Sequence, residues 1–251
     1  MKKFIISIDA GTTSNRSILF DLKGKPIFSS QKEFTQYFPK NGWVEHDPEE
    51  IWRTTIKTLK DVIKKARTLR GEVLTIGITN QRETTVLWDK KTGKTVYKAI
   101  VWQDRRTEDY CKKLRKQNKD TTIFNKTGLL IDPYFSGTKI KWILENIPKA
   151  KQLMNRNQLL FGTIDSFLIW RLTKGKVHAT DATNASRTMI YNISSNKWDE
   201  AILKLLKINK NILPKVKDCA DDYGQTHPSI TEKSIPINGV VGDQQAALVG
   251  Q

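Results

Sequence analysis

Three apolar, β-branched runs joined by very short links occupy the start of the chain. The runs cover residues 4–10, 16–21 and 26–34. A parallel crossover needs about a dozen residues or more, so links this short allow only antiparallel hairpins. The chain is therefore predicted to begin as three antiparallel strands.

A helix start follows this sheet at Asp47. Asp47 suits the N-cap, Pro48 suits the first helical position, and Glu49 and Glu50 complement the helix dipole. Apolar residues then recur at helical spacing as far as about Leu69. This segment is predicted to be a long amphipathic helix.

Strands and helices alternate along the rest of the chain. Strands are predicted at 73–80, 84–89, 99–103 and 235–242, and helices at 105–118, 137–146, 163–172 and from a cap at Asp243. Three antiparallel strands followed by this alternation predict the α/β class, with a mixed sheet and helices on both faces. No repeat, low-complexity tract or linker divides the chain.

Composition narrows the class of protein. With 251 residues and 38% apolar content, the chain can bury one large core or two small ones. No apolar stretch is long enough to span a membrane, and the run ending at Asp9 is too short for a signal peptide. Cys111 and Cys219 lie far apart and the histidines are scattered, so we expect a cytoplasmic protein without a zinc site.

The formal net charge of +17 has two interpretations. A strongly basic chain can bind nucleic acid. Here the lysines are dispersed and do not alternate with stacking aromatic residues, so a solvated lysine-rich surface is favoured and nucleic acid is not expected as a partner. A positive field also attracts anionic nucleotides, so charge alone does not separate these functions.

The first strand ends in a carboxylate, followed by a glycine and three hydroxyl residues. Asp9 would lie at the sheet edge, where a divalent cation can use it, and Gly11 permits a tight turn. The groups able to face phosphate oxygens are those of Thr12, Thr13, Ser14 and Arg16. Many strand-to-turn junctions carry this pattern for backbone reasons, so the segment alone leaves phosphate binding and a structural turn open.

Further polar clusters follow strands at 79–84, 101–106 and 242–245. Each has a structural alternative. Arg82 and Glu83 can simply bridge solvent, Trp102 can belong to the core, and Tyr134 can be a turn aromatic. Asp243 can be a helix cap, a role that is compatible with that of a general base. Their joint occurrence at strand ends nevertheless predicts a ligand site.

Residues 7–16 have the sequence SIDAGTTSNR, which resembles the phosphate loop of the FGGY carbohydrate kinases. The resemblance to that family runs along the whole chain. Six further motifs resemble those of the glycerol kinases within that family: residues 42–48 (GWVEHDP), 77–85 (GITNQRETT), 99–103 (AIVWQ), 131–139 (IDPYFSGTK), 180–189 (TDATNASRTM) and 242–247 (GDQQAA). Within the family, the segments at residues 80–83 and 132–136 distinguish the glycerol kinases from the xylulose and gluconate kinases.

The resemblance implies a fold and an activity. It implies a ribonuclease-H-like, actin-like domain over residues 1–251 that binds glycerol, and a C-terminal nucleotide-binding domain that this chain lacks. The implied reaction is ATP-dependent phosphorylation of glycerol to sn-glycerol 3-phosphate in glycerol catabolism, with the isolated half inactive. The apolar sequence before Gln251 agrees with an interrupted chain.

The resemblance also implies roles for the candidate residues. Asp9 would organise Mg²⁺ through water, and Asp243 would be the base. Phosphates of ATP would contact Thr12, Thr13, Ser14 and Arg16. Glycerol hydroxyls would contact Arg82, Glu83, Tyr134, Asp243 and Gln244, with Trp102 against the carbon chain.

Several alternatives stay open. The chain can be a non-catalytic binding protein derived from a kinase, or part of a kinase for another polyol or sugar. A separate chain can supply the second half, and a homo-oligomer is a further alternative. Ala10 stands where many glycerol kinases have Gln, and residues 223–235 lack the loop with which some members bind fructose 1,6-bisphosphate, so that regulation is not expected.

Overall fold

The structure, a computed structural model, describes residues 2–251. Its strands are β1 (Lys2–Ala10), β2 (Ser14–Asp21), β3 (Pro26–Glu33), β4 (Gln36–Tyr37), β5 (Glu45–His46), β6 (Gly71–Asn80), β7 (Val86–Asp89), β8 (Ala99–Ile100), β9 (Leu159–Gly162), β10 (Ala179–Asp181), β11 (Tyr191–Asn192), β12 (Lys197–Trp198), β13 (Lys215–Lys217) and β14 (Ile237–Gly242). Its α-helices are α1 (Pro48–Thr68), α2 (Glu108–Lys116), α3 (Asp120–Thr127), α4 (Ser136–Asn146), α5 (Pro148–Asn155), α6 (Ile164–Leu172), α7 (Ala182–Ala185), α8 (Glu200–Leu206), α9 (Pro228–Thr231) and α10 (Asp243–Gly250). Short 3₁₀ turns cover Ser186–Thr188 and Lys210–Ile212.

A five-stranded sheet in the order β14-β6-β1-β2-β3 organises the fold. The strands β1, β2 and β3 pair antiparallel, whereas β6 pairs parallel with β1 and β14 pairs parallel with β6. The predicted α/β class and the antiparallel start are therefore confirmed. Since β1, β6 and β14 run in one direction, their carboxyl ends meet at one edge of the sheet.

Alternation along β1 places Phe4, Ile6 and Ile8 in the main core, where they pack with α1 and α6. The helix α1 begins as predicted, because the Asp47 side chain accepts a hydrogen bond from the N–H of Glu49 at 2.9 Å. The other face of β1 is less covered, with its side chains half-buried or exposed. Within residues 2–251, no helix is both long and apolar enough to cross a bilayer.

A second apolar core lies beside this sheet. Small helices, including α4 and α8, pack there around the antiparallel pair of β7 and β9 through buried side chains such as Leu87, Phe161 and Ile190. This core supports the segment that carries Tyr134, so it positions one wall of the candidate site.

Several predicted boundaries differ from the structure, among them those of three elements between residues 84 and 118. The strand expected at 84–89 begins only at Val86, and the strand expected at 99–103 ends at Ile100. The chain turns after Ile100 because Asp104 accepts from the N–H of Val44 and from the guanidinium of Arg106. The turn also delays the helix expected at 105–118, which covers Glu108–Lys116.

The prediction that Asp243 caps the last helix is wrong. Gly242 occupies the N-cap position, and Asp243 is the first helical residue. The Asp243 carboxylate accepts from the N–H of the next residue, Gln244, at 2.8 Å, whereas a capping side chain accepts from an N–H two or three residues further along. The carboxylate therefore stays beside the strand end.

Candidate active site

The parallel strands bring three of the predicted polar clusters to one sheet edge. Asp9 lies opposite Thr79 in the β1–β6 register, and Gly242 lies opposite Asn80 in the β14–β6 register. Adjacent strands are about 4.8 Å apart, so the segments carrying Asp9 and Asp243 are separated by two strand spacings, roughly 10 Å. Residues distant in sequence thus share one edge.

The turn after β1 presents unpaired backbone donors. Gly11 donates to the carbonyl of Ser14 at 3.0 Å, which closes the turn, and the Thr12 carbonyl accepts from the Gln36 amide at 3.1 Å. Among residues 2–251, the N–H groups of Thr12 and Thr13 have no hydrogen-bond partner. Free amides with adjacent hydroxyls form a suitable cradle for phosphate oxygens.

Asp9 and Arg16 form an ion pair of 2.9 Å across the β1–β2 ladder, with side chains 30% and 45% exposed. Exposed pairs are worth only about 0–1 kcal/mol, so a phosphate can compete for Arg16 and release Asp9. Thr79, opposite Asp9, has a buried hydroxyl without a partner among the described residues. The oxygens of the Asp9 carboxylate and the Thr79 hydroxyl are of the kind that Mg²⁺ prefers, since this ion typically uses one or two carboxylates together with water and substrate phosphates.

Arg82 joins the end of β6 to the start of α10. Its Nε donates to Oδ1 of Asp243 at 3.0 Å, and its Nη1 donates to Oε1 of Gln245 at 3.2 Å. The Arg82 side chain is 4% exposed, whereas that of Asp243 is 48% exposed. A Cβ on Gly242 would lie 2.4 Å from Cδ of Arg82, so a glycine is needed for this close approach. Asp243 is thereby oriented while remaining accessible.

Glu83 is a buried acceptor beside Arg82. Its backbone has φ +59°, in the left-handed region, and its carbonyl accepts from the Ser136 hydroxyl at 2.9 Å. Its carboxylate is 2% exposed and accepts from Nε of Arg187 at 2.7 Å. Burial raises the pKa of Glu83, and the guanidinium groups of Arg187 and Arg82 oppose that shift. The geometry thus fixes an acceptor between two cations.

Trp102 and Tyr134 form an aromatic wall, with ring centroids 5.5 Å apart. Nε1 of Trp102 donates to the Thr12 hydroxyl at 3.1 Å, so the wall also contacts the phosphate turn. Burial raises the pKa of Tyr134, and the charge of Glu83 raises it further. The wall, the turn and the buried acceptor therefore belong to one site.

Lys139 supports this wall from beneath. It is completely buried, and its Nζ donates to the carbonyl of Tyr134 at 2.6 Å. Burial lowers the pKa of Lys139 to about 7, although the charges of Glu83, Asp104 and Asp132 act in the opposite direction. Lys139 is therefore a buried donor that fixes the backbone of Tyr134.

Most predicted residues come together, with one exception. The Gln244 side chain is exposed and makes no hydrogen bond within the part of the chain described. No site role is predicted from the sequence for three residues that the structure places here, namely Arg187, Lys139 and Gln245. Arg187 and Lys139 fall inside motifs used for the family resemblance, yet the 104-residue separation of Arg187 from Glu83 hides their contact.

The site combines two kinds of chemistry. Arginine donors, carboxylate acceptors and an aromatic wall suit a small polyhydroxylated ligand that has an apolar side. Free amides and a cation at the neighbouring turn suit phosphate. Adjacent sites for a hydroxyl and a phosphate are the requirements of phosphoryl transfer, where positioning supplies most of the catalysis.

Comparisons with known proteins identify a family and several relatives. Residues 4–250 match the family model described as the FGGY family of carbohydrate kinases, N-terminal domain. The chain is 55% identical over 251 residues to a glycerol kinase of Rhizobium meliloti and 57% identical over 254 residues to one of Malacoplasma penetrans. Each alignment covers 100% of this chain and 50% of the relative, so the chain spans about half the length of these curated relatives.

A solved structure shows the same fold. The crystal structure of Plasmodium falciparum glycerol kinase with ADP superposes with a TM-score of 0.96 at 37% identity. The match covers 99% of this chain and 50% of that chain. The resemblance and the fold class expected from the sequence are thus confirmed.

Proposed function

The chain belongs to the FGGY family of carbohydrate kinases, and from this membership and its site we propose that it is the glycerol-binding half of an ATP:glycerol 3-phosphotransferase. The observation that carries the proposal is the contact of buried Arg82 with accessible Asp243, beside buried Glu83. The free amides of Thr12 and Thr13 lie on the same sheet edge. Two relatives and a structural neighbour that are glycerol kinases favour glycerol as the polyol.

Glycerol binds between the arginines and the aromatic wall in this proposal. Its hydroxyls contact Arg82, Glu83, Tyr134, Asp243 and Gln244, and its carbons pack against Trp102. A ligand lacking one hydroxyl leaves a buried partner unpaired, at a cost of about 1–3 kcal/mol. The burial of Arg82 and Glu83 supports this selectivity.

Asp243 takes the proton of the terminal hydroxyl as that oxygen attacks the γ-phosphorus of ATP. The new O–P bond forms sn-glycerol 3-phosphate, while the bond to the bridging oxygen breaks and ADP leaves. Both described contacts to the Asp243 carboxylate use Oδ1, from Arg82 and from the N–H of Gln244, so Oδ2 is available for the substrate. A general base of this kind typically contributes about 10²–10⁴-fold.

The phosphates of ATP contact the turn after β1. Thr12, Thr13 and Ser14 offer hydroxyls, and Arg16 offers a cation. When bound, Mg²⁺ would neutralise phosphate charge, with Asp9 holding it through water. The accessible Asp9–Arg16 pair supports both assignments, because each partner can exchange the other for a ligand.

The remaining half of the kinase is part of the proposal. Residues 1–251 form the N-terminal domain, and a C-terminal domain, on the same chain or another, binds the rest of the nucleotide. The half-length alignments support this division. The described cysteines are free thiols, which agrees with the cytoplasm, where ATP is available.

Release of ADP tests the proposed function. The complete protein, with both halves present, is assayed with glycerol, erythritol and xylulose. We expect kcat/KM for glycerol to exceed that for either other substrate by at least about tenfold, since misplaced hydroxyls leave buried partners unpaired. A preference for another substrate would change the assigned polyol. Glycerol binding without ADP release from any substrate would instead support a non-catalytic protein.

A further inference from the structure

A buried polar cluster lies directly behind the proposed site. It consists of Asn80 at the end of β6 and of Asp181, Thr183 and Asn184 where β10 passes into α7, and we call these four residues the α7 clamp. Asn80, Asp181 and Asn184 are fully buried, and Thr183 is half-buried. None of the four belongs to the substrate-contacting set proposed above.

Asp181 organises the α7 clamp. Five donors converge on its carboxylate: the N–H and hydroxyl of Thr183, the N–H and side-chain amide of Asn184, and the thiol of Cys219. Its oxygens act as acceptors towards all of them. The Thr183 hydroxyl therefore points its proton at Asp181, at 2.5 Å, and its lone pairs point elsewhere.

The Thr183 hydroxyl oxygen also accepts a hydrogen bond from the backbone of β14, the strand that directly precedes Asp243. The N–H of Gly242 donates to the Thr183 hydroxyl at 2.8 Å. Gly242 is the last residue of β14, and Asp243 follows it directly. Thr183 thus fixes the peptide from which the Asp243 side chain projects.

The other end of the α7 clamp holds the strand that leads to Arg82. The side-chain amides of Asn184 and Asn80 exchange hydrogen bonds of 3.0 and 3.1 Å. The Asn80 amide also donates to the carbonyl of Gln81 at 2.9 Å, one residue before Arg82. One short buried segment therefore contacts both of the chain segments that meet in the Arg82–Asp243 pair.

We propose that Thr183 is a positioning residue for phosphoryl transfer, which sets the place of Asp243 through the N–H of Gly242. This inference rests on the proposed function. A general base must lie within about 2.6–3.2 Å of the hydroxyl whose proton it takes. A misplacement of about 1 Å can cost about 10²-fold in rate, so a lost backbone contact one residue away has a large effect on kcat.

Thr183→Val tests the proposal in the complete protein, because valine keeps the shape of threonine and removes both hydrogen bonds. We expect kcat for glycerol to fall by about 10- to 100-fold. The KM values for glycerol and ATP should change less than about threefold, since Asn80 and Asn184 still hold the segment before Arg82. Thr183→Ser keeps the hydroxyl and should restore kcat to within about threefold of the wild type.

Thr127→Val is the matched control. The Thr127 hydroxyl is also buried, donates to a carbonyl at 2.8 Å and accepts the N–H of Leu129 at 3.1 Å, but it lies in α3, outside the site. It should lose a similar amount of thermal stability and keep kcat. If the valine variant of Thr183 does not fold, Thr183→Cys retains the size with a weaker acceptor and should give an intermediate kcat.

The outcomes separate the positioning role from the proposed function. An unchanged kcat in Thr183→Val, or a serine variant as slow as the valine variant, would overturn the positioning role alone. Equal losses of kcat in the Thr127 and Thr183 variants would show a general structural effect and overturn it as well. A wild-type protein that phosphorylates no polyol would overturn both, before any variant is made.

Discussion

Asp243→Asn should lower kcat for glycerol phosphorylation by about 10²- to 10⁴-fold, while the KM for glycerol should change by less than about tenfold. The amide cannot accept the proton of the attacking hydroxyl, which is the step assigned to this residue. It can still accept the hydrogen bond that Nε of Arg82 makes at 3.0 Å, so the ground-state site is largely kept. Steady-state ADP release over a range of glycerol concentrations separates the two parameters.

Asp109→Asn is the control for this change. The Asp109 carboxylate lies in α2 and is 99% exposed, and its only described ion pair is an i,i+3 contact with Lys112 at 3.6 Å. The same chemical substitution there should leave kcat and KM unaltered. Wild-type kcat in the Asp243 variant would assign the base to another group.

Glu83→Gln should raise the KM for glycerol by about 10- to 100-fold and lower kcat by a smaller factor. A hydrogen bond to a charged acceptor contributes about 1.5–3 kcal/mol, and about 1.4 kcal/mol corresponds to a factor of ten in binding. Neutral Gln also leaves Arg187 without its anionic partner at 2.7 Å, which frees that guanidinium to shift towards Tyr134. Calorimetric titration of glycerol measures the loss directly.

Glu145→Gln is the matched variant for Glu83. Glu145 also accepts from a cation, at 2.6 Å from Nζ of Lys141, but its side chain is 56% exposed on α4. We expect the Glu145→Gln variant to bind glycerol with the same affinity as the wild type. If the Glu83 variant bound glycerol with the affinity of the wild type, Glu83 would not be a glycerol contact.

The parts of the fold that depend on local sequence were predictable. The hairpins of β1, β2 and β3 follow from link length, and α1 begins at Asp47 because cap and helix are neighbours in sequence. The early end of β8 was not predictable. It depends on Arg106, whose buried side chain contacts Glu45 and Asp104 across 61 and 2 residues.

The candidate site likewise has residues that could be predicted from local sequence and contacts that could not. The motif residues Asp9, Arg82 and Asp243 could be identified because each follows a strand, and parallel strands bring their ends together. The partners of these residues could not be read from spacing. Arg187 reaches Glu83, and Thr183 reaches Gly242, only after the chain has folded over 104 and 59 residues.

The central claim is that the carboxylates of Asp9 and Asp243 serve one cleft, in which a polyol hydroxyl meets the phosphates of ATP. A crystal structure of the complete protein with glycerol, Mg²⁺ and a non-hydrolysable ATP analogue tests it most directly. We predict a glycerol hydroxyl within about 3 Å of the Asp243 carboxylate, and phosphate oxygens against the amides of Thr12 and Thr13. Glycerol bound away from Arg82 and Asp243, or phosphates bound away from the turn after β1, would contradict the claim.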